Sequence, residues 1–148
     1  MNDDEAMRLA LQEAESAIQH EDVPVGALVI VDGTVIASRH NERQLTGDPT
    51  AHAEILALRD AASHLGTWHL DNSTLVTTLE PCPMCAGAAL NARVAHVIFG
   101  AHDPKAGAVE TLYNLLDDPR LNHQTKITSG VLAAQCGDIL SQFFAERR

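Results

Sequence analysis

Apolar and polar positions change rhythm several times along the 148 residues of this chain. Met7, Ala10, Leu11, Ala14 and Ile18 recur at the spacing of one helix face, with acids between them. That spacing predicts an amphipathic helix over about residues 3–20, capped by Asn2 or Asp3. The apolar run Gly26 to Val31, the turn pair Asp32-Gly33 and the run Thr34 to Ala37 read as a β-hairpin. His40 to Asp48 is polar and aperiodic and reads as a loop. Pro49-Thr50 opens a second helix over about 51–65, with Thr50 as N-cap and Gly66 as stop. Ser73 to Leu79 reads as a strand. Pro81-Cys82-Pro83 starts a third helix reaching about Asn91, with Pro83 suited to the first helical position. Ala95 to Gly100 reads as a strand, Thr111 to Leu116 as a short helix and Lys126 to Ser129 as a short strand. Val131 to Arg147 reads as a closing helix. No repeat, low-complexity tract or linker interrupts this series, so one domain over residues 1–148 is expected. The alternation of helices and strands after the hairpin predicts a layered α/β fold on a mixed sheet. In such sheets, sites form beyond the carboxyl ends of strands, often at helix N-termini.

Composition narrows the class. Hydrophobic residues make up 45% and charged residues 20%, which excludes a disordered chain. The longest apolar stretch, Val25 to Val31, is too short to span a membrane. The start, Met1-Asn2-Asp3-Asp4-Glu5, is acidic where a signal peptide would be basic and then apolar. Two of the 3 cysteines sit within one stretch, Pro81 to Cys85, which argues against a disulfide framework and for a cytoplasmic protein. The net charge of −10 opposes the usual footprint of a nucleic-acid binder. It is unevenly placed, however. Residues 1–22 hold seven acids against Arg8 alone. From Phe99 onward six acids face five bases. The acidic excess therefore reads chiefly as a solvated face of the first helix.

Candidate chemistry lies at two predicted helix starts. His52-Ala53-Glu54 opens the second helix and Cys82-Pro83-Met84-Cys85 the third. Cys82 and Cys85 share one helix turn, so their sulfurs can face one metal. A helix N-terminus also favours the thiolate that a metal needs. One imidazole and two thiolates suit zinc, and three protein ligands leave a fourth position for water, as catalytic sites do. His69, His96 and Cys136 stand as possible fourth ligands of a closed, structural site. In mid-helix, His52 and Glu54 would point about 200° apart. They converge only where the site lies off the first turn, and there Glu54 is placed to move protons instead of binding the metal.

His-x-Glu followed by Pro-Cys-x-x-Cys is the signature of the zinc nucleobase deaminases. Beyond it, the chain resembles the bacterial tRNA-specific adenosine deaminases of the cytidine deaminase-like superfamily. The resemblance runs through Val23-Pro-Val-Gly-Ala27, Asn41, Asp48-Pro-Thr-Ala-His-Ala-Glu-Ile55 and Leu79-Glu-Pro-Cys-Pro-Met-Cys-Ala-Gly-Ala88. It continues through Phe99-Gly-Ala-His-Asp-Pro-Lys105, Asn122-His123 and Phe143-Phe144. It implies a three-layer α/β/α fold with a central five-stranded mixed sheet, and a homodimer with one Zn2+ per subunit. The implied reaction is hydrolytic deamination of the wobble adenosine of a tRNA, with an ACG anticodon expected, to inosine and ammonia. His52, Cys82 and Cys85 would bind the metal and Glu54 would shuttle protons. Asn41 would hydrogen-bond the flipped base, Val25, Leu79 and Ala53 would line its pocket, and Asp103 would touch the neighbouring nucleotide. Lys105, Arg120, Lys126, Phe144, Arg147 and Arg148 are the candidates for RNA contact. No membrane and no protein partner beyond the dimer are implied.

Plainer readings stand beside these. Taken alone, Asn41 and Asp103-Pro104 are turn formers, Val25 and Leu79 ordinary core, Trp68 packing, and Cys136 a buried small hydrophobe. Of Phe143 and Phe144, one can anchor a terminal helix while the other meets RNA. Glu42 and Glu110 depart from the family pattern and bring negative charge toward the expected RNA side. A free-base or nucleoside deaminase, acting on guanine or cytosine through the same zinc site, is the alternative function. A zinc-stabilised interaction module and a Cys82–Cys85 redox pair are further alternatives.

Overall fold

The computed structural model describes residues 1–147; Arg148, a candidate RNA contact, lies outside the described residues. Helix α1 (Asp3–Ile18) starts at Asn2, whose side chain accepts a hydrogen bond from the Glu5 N–H, with Asp3, Asp4 and Glu5 in its first turn. Strands β1 (Gly26–Val31) and β2 (Thr34–His40) form the expected hairpin. Asp32 and Gly33 both have positive φ, as the two-residue turn of the favoured hand requires. The remaining elements are α2 (Arg43–Thr46), α3 (Ala53–Leu65), β3 (Ser73–Leu79), α4 (Pro83–Asn91), β4 (His96–Ala101), β5 (Lys126–Thr128) and α5 (Ala133–Ala145).

The five strands form one sheet in the order β2-β1-β3-β4-β5. β1 is antiparallel to β2 and β3, while β3, β4 and β5 run parallel, so the sheet is mixed as expected. Side chains alternate between the faces. Ala27, Val29, Leu75, Val97 and Phe99 belong to one core with α3 and α4. Leu28, Val76 and Ile98 belong to the other, with Met7, Ala10 and Cys136 from α1 and α5. Period-two patterning of buried strands thus produces the three layers.

Three predicted elements differ. The segment after β2 holds the short helix α2, because the buried carboxylate of Asp22 accepts hydrogen bonds from the Gln44 and Leu45 N–H groups, at 2.6 and 3.1 Å. A cap supplied from a distant segment leaves no local signal. Helix α3 starts at Ala53 with His52, not Thr50, at the N-cap. Thr50 is committed to a turn instead: its N–H and hydroxyl both donate to Asp48 Oδ1 at 2.8 Å. Residues 111–116 are irregular and form no helix. The Val109, Glu110 and Thr111 N–H groups all donate to the Glu80 carboxylate, which bends the chain away from a helical path.

Gly26 is where α1 meets β1 most closely. A Cβ there would lie 1.9 Å from the Ala10 carbonyl oxygen and 2.8 Å from the Ala14 nitrogen, both backbone atoms. Gly26→Ala should therefore destabilise the protein by about 3 kcal/mol, since helix and strand must separate to admit the methyl. A denaturant midpoint unchanged from wild type would contradict this contact.

Candidate active site

Beyond the carboxyl end of β3, two helix N-termini converge. Cys82 is the N-cap of α4, Pro83 occupies its first turn and Cys85 is buried within that turn. His52 is the N-cap of α3. His52 Nδ1 lies 3.6 Å from Cys82 Sγ and 3.4 Å from Cys85 Sγ. The three donor atoms all lie within 4.8 Å of one another, and no other such group occurs among the described residues. Tetrahedral zinc with ordinary Zn–N and Zn–S bonds requires nitrogen–sulfur separations of about 3.6 Å, so these residues fit the ion. The charges fit as well. The Cys85 thiol, then His52, hydrogen-bonds Cys82 and holds its pKa at about 4, as a thiolate. That contact with Cys82 raises His52. Donation to Cys82, with burial, pushes the Cys85 thiol up. A metal can displace those protons and take all three ligands.

The other sulfur and imidazole candidates stay outside this group. Cys136 lies in the α1–α5 core on the opposite face of the sheet, where burial raises its pKa to about 11. His69 pairs with Asp71, and His96 hydrogen-bonds the Thr128 hydroxyl. Among the described residues the cluster therefore offers three metal-donor side chains.

Glu54 sits in the first turn of α3 and is only 4% exposed. Burial pushes its carboxyl above the usual carboxylate range. Because His52 is the cap and Glu54 follows within the first turn, both reach one cavity of ≈ 160 Å³. Val25, Asn41, Ala53, Leu79, Cys82 and Asp103 share that cavity. Every residue expected to shape the base pocket thus lies around it. Asn41 donates through Nδ2 to the carbonyl of Val23, before β1, and accepts from the Arg43 N–H in its own turn, each at 3.2 Å. One amide hydrogen and one lone pair stay available to a ligand.

The RNA-contact candidates scatter. Lys105 follows Asp103 at the cavity edge and is exposed. Arg120 is held by Asp118 through contacts of 2.6–3.2 Å. Lys126 opens β5 opposite His96, at the end of the parallel strands away from the cavity. Arg147 pairs with Glu21 at 2.8 Å and covers the Phe143 ring, whereas Phe144 is exposed. Trp68 is not packed inside: it is 57% exposed and stacks on His69.

Several contributors to the site have no sequence signal. Exposed Arg43 lines the cavity and pairs with no carboxylate among the described residues. Glu42 is tied to Arg39 at 2.9 and 3.0 Å, and Arg39 also holds Asp60 at 2.9 Å. Glu110 hydrogen-bonds the His102 imidazole at 2.9 Å. Nor are the acids of residues 1–22 merely solvated. Glu13 hydrogen-bonds His40 and Ser38, Glu21 holds Arg147, and Asp22 is 1% exposed beneath α2.

The profile of the MafB19-like deaminases matches residues 1–148. The chain belongs to the MafB19-like deaminase family. The chain is 49% identical over 142 residues to a tRNA-specific adenosine deaminase of Bacillus subtilis, covering 96% of this chain and 88% of that protein. It is 46% identical to one from Haemophilus influenzae, over 99% of this chain and 85% of that protein. A solved structure from work on A-to-I editing by tRNA:A34 deaminases superposes with a TM-score of 0.88 at 42% identity, covering 92% of this chain and 99% of that one. The structure of a guanine deaminase from Bacillus subtilis superposes with a TM-score of 0.68 at 32% identity, covering 99% and 94%.

Proposed function

We infer that this chain deaminates the wobble adenosine of a tRNA to inosine, as a single domain with one zinc ion held by His52, Cys82 and Cys85. The observation that carries the reading is a buried Glu54 beside three metal-donor atoms on the floor of a cavity walled by Asn41, Val25 and Leu79. Its likeness to relatives named tRNA-specific adenosine deaminases supports the choice of substrate.

Zinc in that cluster supplies a water of pKa about 7, a nucleophile available at neutral pH. The protein does the rest. Val25, Leu79 and Ala53 exclude solvent from the adenine faces, and Asn41 hydrogen-bonds an edge of the ring. Glu54 takes a proton from the attacking water as its oxygen bonds to C6, and delivers that proton to adenine N1. As the C6–N6 bond breaks, Glu54 carries the second proton of the water to the departing amine, which leaves as ammonia. Burial raises the Glu54 carboxyl above the usual carboxylate range, which makes it a stronger base for the proton of the water. The target adenosine leaves its stack before it enters, which costs less in an anticodon loop than in a duplex.

The same reading places the enzyme in the cytoplasm as a homodimer acting on a tRNA with an ACG anticodon. No helix of the described residues is long and apolar enough to cross a membrane. Arg43 and Lys105 are the cations that flank the cavity, so few phosphates are neutralised. The logarithm of tRNA affinity should fall with log salt at a slope of about −1 to −3. A slope near −6 in filter binding would contradict this surface. The reaction itself is tested by incubating zinc-loaded protein with an ACG anticodon stem-loop, guanine and cytosine. Inosine is expected. Xanthine or uracil without inosine would establish the free-base alternative.

A further inference from the structure

The Asp103 wall of the cavity belongs to a segment with no helix or strand between β4 and β5. What fixes it is a side chain from elsewhere. Glu80, two residues before the ligand Cys82, is 1% exposed and accepts five hydrogen bonds from this segment. Its Oε1 takes the Asp103 N–H at 3.0 Å and the Thr111 hydroxyl. Its Oε2 takes the Val109, Glu110 and Thr111 N–H groups at 2.8–3.1 Å. Gly107 makes room for it: a Cβ there would lie 2.3 Å from Oε1. Asp103 in turn closes the near side of the segment, its Oδ1 accepting from the Lys105 and Ala106 N–H groups. One carboxylate thus binds the start of the metal-ligand helix to the segment that carries Asp103.

We propose that Glu80 is the positioning residue of the Asp103 wall, and that through it the enzyme selects the nucleotide beside the target adenosine. The selectivity rests on the tRNA reading above; the positioning does not. Glu80 also lines the cavity, but both its oxygens are taken by this segment, so its effect on substrate passes through where Asp103 stands. An amide at position 80 separates the two oxygens. In Glu80→Gln the amide oxygen can keep the three donors at residues 109–111. The amide nitrogen then faces the Asp103 N–H, donor against donor.

Two measurements on the full-length, zinc-loaded protein test this. Amide hydrogen exchange should quicken at least tenfold at Asp103 in Glu80→Gln and stay slow at Val109, Glu110 and Thr111. Unchanged protection at Asp103 would overturn the positioning claim, whatever the substrate proves to be. In kinetics on anticodon stem-loops differing in the nucleotide next to the adenosine, Glu80→Gln should raise KM about tenfold and flatten the preference among them. Its kcat and zinc content should stay near wild type. The double variant Glu80→Gln/Asp103→Ala should be no worse than Asp103→Ala alone. Losses that add, or a fall in kcat with metal loss, would mark Glu80 as general scaffolding and overturn the selectivity claim. If Glu80→Gln does not fold, Thr111→Val removes one donor and should raise KM two- to threefold; an unchanged KM there counts against the proposal. A wild-type protein inactive on every stem-loop would refute the tRNA reading instead, with the exchange result still standing.

Discussion

Replacing Glu54 by alanine should lower kcat on a tRNA substrate by about a thousandfold or more while leaving the fold and the zinc content intact. The geometry sets both halves of that expectation. Glu54 is buried on the cavity floor beside His52, where a single carboxylate is the group placed to move protons between water and the base. General acid–base groups contribute about a hundred- to ten-thousandfold, and here one residue serves as base and then as acid. It is not one of the three donor atoms that converge within 4.8 Å, so the metal should stay. Removing a buried carboxyl from the interior also relieves a desolvation cost, so thermal stability should hold or rise. Substantial turnover by a zinc-loaded Glu54→Ala enzyme would remove Glu54 from the mechanism. Glu54→Gln separates shape from charge: it should be nearly as inactive, because an amide cannot accept the proton.

Loss of Cys82 should be broader in its effect. Cys82→Ala takes away the ligand held as a thiolate and leaves two donors, so elemental analysis should find the metal gone and activity with it. Stability should fall too, because an ion held by His52, Cys82 and Cys85 would join the starts of α3 and α4 and bind only the folded chain. Wild-type protein should lose stability when treated with chelator, and Cys82→Ala should not respond. A full complement of zinc in Cys82→Ala would strike Cys82 from the ligand set.

The metal cluster and the layered fold were legible because each is written in local spacing. Cys82 and Cys85 share a helix turn, and His52 and Glu54 share a helix start. The alternation of Leu75 with Val76, or Val97 with Ile98, sends neighbours to opposite cores. The pocket residues Asn41, Val25, Leu79, Ala53 and Asp103 came from family resemblance, since each alone reads as a turn or as core. What stayed hidden is held by side chains bonded to distant backbone. Asp22 caps α2 across more than twenty residues of chain, and Glu80 gathers amides about thirty residues away. Backbone N–H groups are the same at every position save proline, so no residue pattern announces which of them a buried carboxylate will find. The predicted helix over 111–116 failed for that reason. The surroundings of Glu42 were hidden in a related way: it bonds Arg39, which also holds Asp60, and the neighbouring Arg43 lines the cavity.

The close approach of α1 to Gly26 bears on how this enzyme tolerates change. Val25, one residue away, is a wall of the base cavity, so the backbone that α1 presses upon is also the backbone that sets the pocket's width. Ala10 and Ala14 are fully buried at that contact. Larger side chains at either would push on β1 from the far side of the sheet and narrow or tilt the pocket without touching it. An attempt to retarget the enzyme by randomising only the cavity would therefore miss a second dial, on a helix that holds no catalytic residue.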